Sequence, residues 1–187
     1  SARWRGNMDH LLAKDKRRDR IEHHAALPFA EVGDFMQELR AQDGIAARAL
    51  EFAILTAART GETIGATWTE LDLDSATWTI PKARMKGGRE HRVPLSQAAV
   101  KLLRGLPRLE GDHVFPGRSE KKPLSNMALL AVLRRMGRGD LTTHGFRSTF
   151  RDWAAEKTNF QNHVVEMALA HAIGDDVDGR AHWQHLR

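Results

Sequence analysis

The sequence predicts a mainly α-helical domain with one small antiparallel β-sheet. Two segments, 27–42 and 44–58, carry apolar residues at helical spacing. The period changes to two in ATWTI (76–80) and HRVPL (91–95), which is typical of paired strands. With 187 residues, 41% of them hydrophobic, the chain can bury a core of its own. We find no internal repeat and no low-complexity tract.

The two leading helical segments differ in their apolar pattern. In the first, Pro28 stands at a plausible helix start and Gly44 at a plausible stop. The second is apolar nearly all round, which predicts a buried central helix. This helix should carry Arg59 at its C-terminal end.

The rest of the chain predicts a hairpin followed by four helices. A basic connection, 81–90, joins the two strands and should form the hairpin tip. The helices should begin after polar N-caps, and the last should end at a glycine. The predicted caps are Ser96, Ser125 and either Thr142 or Thr143, with Gly174 as the final stop.

Charge is concentrated near the start of the chain. The sequence has 29 Lys+Arg against 24 Asp+Glu, which favours a polyanionic partner, although a net charge of +5 is a modest signal. Residues 1–26 predict a linker or arm from an upstream DNA-binding domain, and residues 27–187 the domain itself. The run KDKRRDR (14–20) is either a solvated face or a segment that follows a phosphate backbone.

Several classes of protein are excluded or disfavoured by composition. The chain has no cysteine, which excludes disulfides, thiolate metal sites and cysteine nucleophiles. No apolar run reaches the length of a membrane span, and the N-terminus lacks the hydrophobic centre of a signal peptide. We therefore expect a cytoplasmic protein that makes no membrane contact.

Five side chains are candidates for anion chemistry. Arg59 ends an apolar helix, where a guanidinium either pairs with Glu62 or binds an anion. His144 and Arg147 share one helix face near a helix N-terminus, which favours anions. Lys86 lies between glycines and basic residues at the hairpin tip, where it is either solvated or in contact with phosphates. His171 ends an apolar run and by itself suggests a core or capping histidine.

Metal binding is disfavoured. The pairs His23/His24 and His182/His185 lack partners at ligand spacing. The stretch ELDLD (70–74) resembles a two-metal carboxylate cluster, yet acidic residues leading into a strand are the commoner explanation. We expect no metal and no cofactor.

Taken in order, TAARTGE, RMKGGREHRVPLS, HGFR and LAH resemble the tyrosine recombinases, most of all the phage and genomic-island integrases. The resemblance runs from about Leu27 to Asp178. It implies the mainly helical catalytic-domain fold of that family, with double-stranded DNA at attachment sites as the partner. Full-length members assemble as homotetramers on DNA, whereas the isolated domain should be monomeric.

The resemblance also implies roles for the candidate residues. Arg59 and Arg147 would bracket the scissile phosphate, and Lys86 would protonate the departing 5′-oxygen. His144 would assist proton transfer, and His171 would donate a hydrogen bond to the phosphate. Glu62 would orient Arg59 as a supporting residue. Further contacts to DNA would come from four basic residues of the hairpin: Lys82, Arg84, Arg89 and Arg92.

The chain departs from the family at the nucleophile. The family forms a 3′-phosphotyrosine intermediate, and this sequence contains no tyrosine. The alignment places Ala181, or Arg180 with one residue less, where the tyrosine should stand. A frameshift, a truncation, a mutation or a degenerate prophage gene would each explain this. The chain is thus expected to be inactive in cleavage, and an inert DNA-binding remnant is the alternative function. A type IB topoisomerase would also need the tyrosine, and an RNA-binding module lacks its aromatic stacking platform.

Overall fold

A computed structural model describes residues 26–109, 111–119 and 121–171. This part of the chain folds into a group of helices with one small sheet, in agreement with the predicted fold class. The helices are α1 (Val32–Arg40), α2 (Ile45–Thr56), α3 (Thr60–Ile64), α4 (Gln97–Arg104), α5 (Ala128–Arg135), α6 (Gly145–Lys157) and α7 (Asn162–Ala168). The strands are β1 (Leu71–Asp72), β2 (Thr77–Ile80) and β3 (His91–Pro94).

Helix α2 is the centre of the core. Leu50 and Phe52 are fully buried within it, and α1, α3, α4 and α5 all pack against it. The prediction of a buried central helix is confirmed. A helix that is apolar on every side has no stable position on a surface, because each face needs an apolar partner.

The first predicted helical segment is divided in two. Pro28 leads into a short 3₁₀ turn, Phe29–Glu31, and α1 follows it. Gly44 does not end α1, which closes at Ala41; it has a φ of 94° and is the N-cap of α2. The positive φ explains the glycine, since other residues reach that conformation only with strain.

The sheet is antiparallel, with the strand order β1-β2-β3. Trp78 and Ile80 alternate inward from β2 and are fully buried, and the Trp78 ring lies 5.1 Å from that of Phe52. Strand β1 extends the predicted hairpin to three strands. The connection 81–90 joins β2 to β3, as expected, and contains a 3₁₀ turn, Lys82–Arg84.

The predicted helix caps have mixed outcomes. Ser96 caps α4, because its hydroxyl accepts a hydrogen bond from the Ala99 amide at 3.3 Å. Ser125 is not the cap of α5: Met127 holds that position, and Ser125 offers only its backbone carbonyl. Thr142 accepts from the Gly145 amide at 3.0 Å and so supports the start of α6. The prediction that the last helix runs to Gly174 is wrong: α7 ends at Ala168 with Leu169 as its C-cap, because the chain turns at Ala170, which has a φ of 50°. Gly174 itself lies outside the described residues.

None of the helices in the described ranges is long and apolar enough to cross a membrane.

Candidate functional site

A left-handed turn separates the central helix from Arg59. Ala57 has a φ of 50°, and the Ala58 amide donates back to the Ala53 carbonyl at 3.2 Å, as in a Schellman motif. Arg59 then has an extended backbone and is the N-cap of α3. The prediction that Arg59 ends the central helix is therefore wrong, because the turn at Ala57 redirects the chain first.

Arg59 is held by Glu62 at the start of α3. Its Nη1 atom lies 2.7 Å from Oε1 of Glu62, and its backbone amide donates to the other carboxylate oxygen at 2.9 Å. The Arg59 side chain nevertheless keeps 28% of its surface exposed, whereas that of Glu62 keeps 6%. The ion pair thus fixes the guanidinium and leaves part of it open to an anion, so the two alternatives considered for Arg59 are compatible.

Arg147 enters the same region from α6 and is buried. Its Nη1 donates to the Ala57 carbonyl, and its Nη2 donates to the Leu169 carbonyl at 2.5 Å. Arg59 reaches the adjacent carbonyl of Ala170 at 3.2 Å. The two guanidinium groups are therefore tied to neighbouring carbonyls of one backbone segment.

Burial first, and then the positive charge of Arg59, lower the pKa of Arg147, which comes to about 10. The carboxylates of Glu62 and Glu166 oppose this shift. Because that pKa lies well above neutrality, Arg147 remains a cation, and the site concentrates positive charge in a partly desolvated position. Such a position strengthens the attraction of an anion compared with open water.

The Leu169–Ala170 segment is a second turn of the same kind. Ala170 has a φ of 50°, and the His171 amide donates to the Glu166 carbonyl at 2.9 Å. This turn brings His171 beside Arg147, with 3.2 Å between Nε2 and Nη2. The other ring nitrogen, Nδ1, lies 2.5 Å from the Glu166 carboxylate.

His144 and Lys86 are both exposed, and they lie on different elements of the chain. His144 is exposed as the N-cap of α6, three residues before Arg147, and its carbonyl accepts from the Arg147 amide at 3.0 Å. Lys86 is exposed in the connection 81–90, after the buried Met85. The structure thus brings Arg59, Arg147 and His171 together. It records no contact from Lys86 to these three in the part of the chain it describes.

Among the hairpin residues considered for DNA contact, Arg84 differs from the others. Its guanidinium pairs with the Glu70 carboxylate and donates to the backbone carbonyl of Glu62, which anchors the hairpin to α3. Lys82, Arg89 and Arg92 are exposed. Arg84 therefore makes a structural contact, and DNA contact by any of the four residues stays a prediction.

The three carboxylates of ELDLD have separate roles. Glu70 accepts from the Trp78 indole at 3.0 Å, in addition to pairing with Arg84. Asp72 accepts from the amides of the β1–β2 turn, and the Asp74 side chain is fully exposed. Over the described ranges, no three His, Cys, Asp or Glu side chains cluster as they would around a metal ion.

His91 is a site residue that the sequence analysis missed. It shares the inward face of β3 with Val93 and is half-buried. Burial lowers the pKa of His91; the Glu62 carboxylate and a hydrogen bond to the Ala168 carbonyl raise it, and the charges of Arg59 and Arg147 lower it. The His91 ring therefore experiences the charges of Glu62 and of both arginines. The alternation of HRVPL was the available signal, because it puts His91 on the same face as Val93.

The proposed position of the missing nucleophile, Ala181, lies outside the described residues. The same holds for both histidine pairs that were considered as metal ligands, and for the predicted arm apart from its last residue. They stay predictions from the sequence.

The chain matches the Phage integrase family model over residues 26–178. Prophage integrase IntZ of Escherichia coli K12 is 38% identical over 153 residues, which are 80% of this chain and 38% of that protein. The integrase of Enterobacteria phage P4 is 31% identical over 178 residues, and the match covers 40% of its length. The chain therefore spans well under half the length of these relatives.

A solved structure of XerA recombinase superposes with a TM-score of 0.64 at 14% identity, covering 80% of this chain and 57% of that one. This low-identity likeness supports the fold only. The family match extends over most of the chain and agrees with the helical architecture. The chain belongs to the phage integrase family and is a tyrosine-recombinase catalytic domain.

Proposed function

We propose that this domain binds the scissile phosphate of double-stranded DNA in site-specific recombination, with Arg59 and Arg147 on either side of it. The observation that carries the proposal is the convergence of two guanidinium groups on one backbone segment, Leu169–Ala170. Each group is planar and can donate two parallel hydrogen bonds to phosphate oxygens. Donors fixed before the substrate arrives stabilise charge that develops on those oxygens in the transition state.

The remaining residues complete the reaction scheme that the family membership implies. Lys86 would act as the general acid that protonates the departing 5′-oxygen, reaching the site from the connection 81–90. Gly88 has a φ of 63° in that connection, which lets the chain turn sharply after Lys86. His144, at the start of α6, would assist proton transfer. His171 would contact the phosphate beside Arg147.

This chain does not supply the nucleophile for the cleavage step. In the proposed reaction a tyrosine oxygen attacks phosphorus, a 3′-phosphotyrosine bond forms, and the 5′-oxygen leaves with a proton. The 187 residues contain no tyrosine. We therefore propose that this chain, as it stands, binds the phosphate and does not cleave. Its partner is double-stranded DNA, and its longer relatives would assemble as tetramers, as in the lambda integrase tetramer solved on a Holliday junction.

Anion binding tests the phosphate site. Inorganic sulfate should bind the wild-type domain, and Arg147→Ala or Arg59→Ala should weaken this by more than about tenfold, since each removes a charged donor. Arg134→Ala is a charge-matched control, because Arg134 is exposed on α5. Equal sulfate affinity in all four proteins would overturn the proposed site. Arg59→Ala also covers the case in which Arg147→Ala does not fold.

A suicide DNA substrate separates the two functions. A duplex with a bridging-sulfur phosphate traps any covalent protein–DNA adduct on a denaturing gel. We expect binding without an adduct, which corresponds to the DNA-binding alternative for this chain. An adduct would show that another side chain replaces tyrosine.

A further inference from the structure

Two charged groups hold the His171 ring from opposite sides. Nδ1 lies 2.5 Å from the Glu166 carboxylate, and Nε2 lies 3.2 Å from Nη2 of Arg147. The turn at Ala170 creates this arrangement, because its hydrogen bond from the His171 amide to the Glu166 carbonyl brings the two residues together at 2.9 Å. Glu166 has no role in the reaction scheme above.

The chemistry of these neighbours decides where the ring carries its proton. An ionised carboxylate only accepts hydrogen bonds, so the short contact requires a hydrogen on Nδ1. A guanidinium only donates, so the same neutral ring must accept from Arg147 through the lone pair on Nε2. In the opposite tautomer, the lone pair on Nδ1 would face the Glu166 carboxylate, so two acceptors would meet. The hydrogen on Nε2 would face the Arg147 guanidinium, so two donors would meet.

We propose that Glu166 is a positioning residue that keeps His171 in the Nδ1–H tautomer, so that Nε2 holds the Arg147 guanidinium in place for phosphate. The proposal rests on the proposed function, because it assigns Glu166 to the same phosphate site.

The surroundings of Glu166 favour this role over a surface ion pair. Its side chain is 19% exposed, and its other carboxylate oxygen lies 3.3 Å from Nε of Arg151. The Arg151 side chain is 56% exposed, and pairs with such exposed groups contribute little to stability. The shorter and more shielded contact is the one to His171.

Nitrogen-15 spectra of histidine-labelled protein test the proposal directly, because long-range proton–nitrogen couplings distinguish the two tautomers. The measurement is made about two pH units above the ordinary histidine pKa, where neutral rings dominate. His171→Asn identifies the relevant signals. We expect the Nδ1–H tautomer in the wild-type domain, and the Nε2–H tautomer there would overturn the proposal without any need for a variant.

Glu166→Gln tests the consequence for the phosphate site. A glutamine amide can donate to Nδ1, so the variant should admit the Nε2–H tautomer and bind inorganic sulfate about tenfold more weakly. Glu156→Gln is the matched control, since Glu156 is an exposed glutamate on α6, and it should change neither property. Unchanged tautomer and sulfate affinity in folded Glu166→Gln would refute the positioning role.

The two proposals fail in different ways. A wild-type domain with the Nδ1–H tautomer and no sulfate binding would overturn the phosphate site while supporting the contact of Glu166 with His171. Sulfate binding that depends on Arg147, together with the Nε2–H tautomer, would overturn the role of Glu166 alone.

Discussion

Removing the Glu62 carboxylate should lower the free energy of unfolding by about 3 kcal/mol. The variant Glu62→Ala loses the charged hydrogen bond to the Arg59 guanidinium, made at 2.7 Å, which is worth about 1.5–3 kcal/mol. It also loses the acceptor for the Arg59 amide at 2.9 Å, a helix-cap contact of about 1 kcal/mol. Because the Glu62 side chain is only 6% exposed, water replaces neither contact fully.

Urea denaturation, monitored by circular dichroism, measures this change in the free energy of unfolding. For a domain of this size, about 3 kcal/mol corresponds to a drop of about 9 °C in the midpoint of thermal unfolding. Glu62→Gln should cost less, because its amide oxygen can still accept from the Arg59 backbone. Glu38→Ala, at an exposed position on α1, is the control and should stay within about 0.5 kcal/mol of the wild type. A loss below about 1 kcal/mol for Glu62→Ala would refute the contribution of these contacts.

Three further predictions concern the sheet and its surroundings. Gly65→Ala should lower the free energy of unfolding by about 1–3 kcal/mol. The added Cβ would lie 3.1 Å from the Gly61 carbonyl oxygen and 2.9 Å from Nη2 of Arg84, whose guanidinium Glu70 holds in place. Gly33→Ala, with open space around it, should cause no loss, and equal effects would contradict the argument. His91 has a lowered pKa, so the unfolded chain binds its proton first and stability falls as the pH drops below the ordinary value of 6.5. His91→Gln should flatten that part of the stability–pH curve, and an unchanged curve would show that His91 is not the group responsible. Lys86→Met should reduce the slope of log DNA affinity against log salt by about 0.9 with unchanged thermal stability, and an unchanged slope would remove Lys86 from the DNA contacts.

Much of the fold was predictable because the spacing of apolar residues along the chain matches the faces that the folded domain buries. The 44–58 segment, apolar nearly all round, predicted a core helix, and the period of two in β2 and β3 marked the sheet. The cap at Ser96 followed from ordinary capping chemistry. The Ser125 prediction failed because the chain continues as a turn through Asn126 and Met127 before α5 begins. Several residues after a serine can begin a helix equally well, so the serine alone does not decide the first residue.

The two left-handed turns could not be predicted. Ala57 and Ala170 both adopt a φ of 50°, a conformation that usually signals glycine. Alanine favours helix continuation, so the pattern predicted that the helices run on to Arg59 and past His171. Tertiary hydrogen bonds compensate for the strain, since Arg147 binds the carbonyls of Ala57 and Leu169.

The sequence by itself determined the fold class and the ordered set of cationic residues, because helical and strand periods are local and the motifs resemble a known family. Only the tertiary structure decided how those residues meet. The carbonyls that orient the two arginines and the carboxylate beside His171 come from segments distant in sequence or from turns without a sequence signal. Such contacts depend on how whole elements pack, and packing is a property of the folded chain.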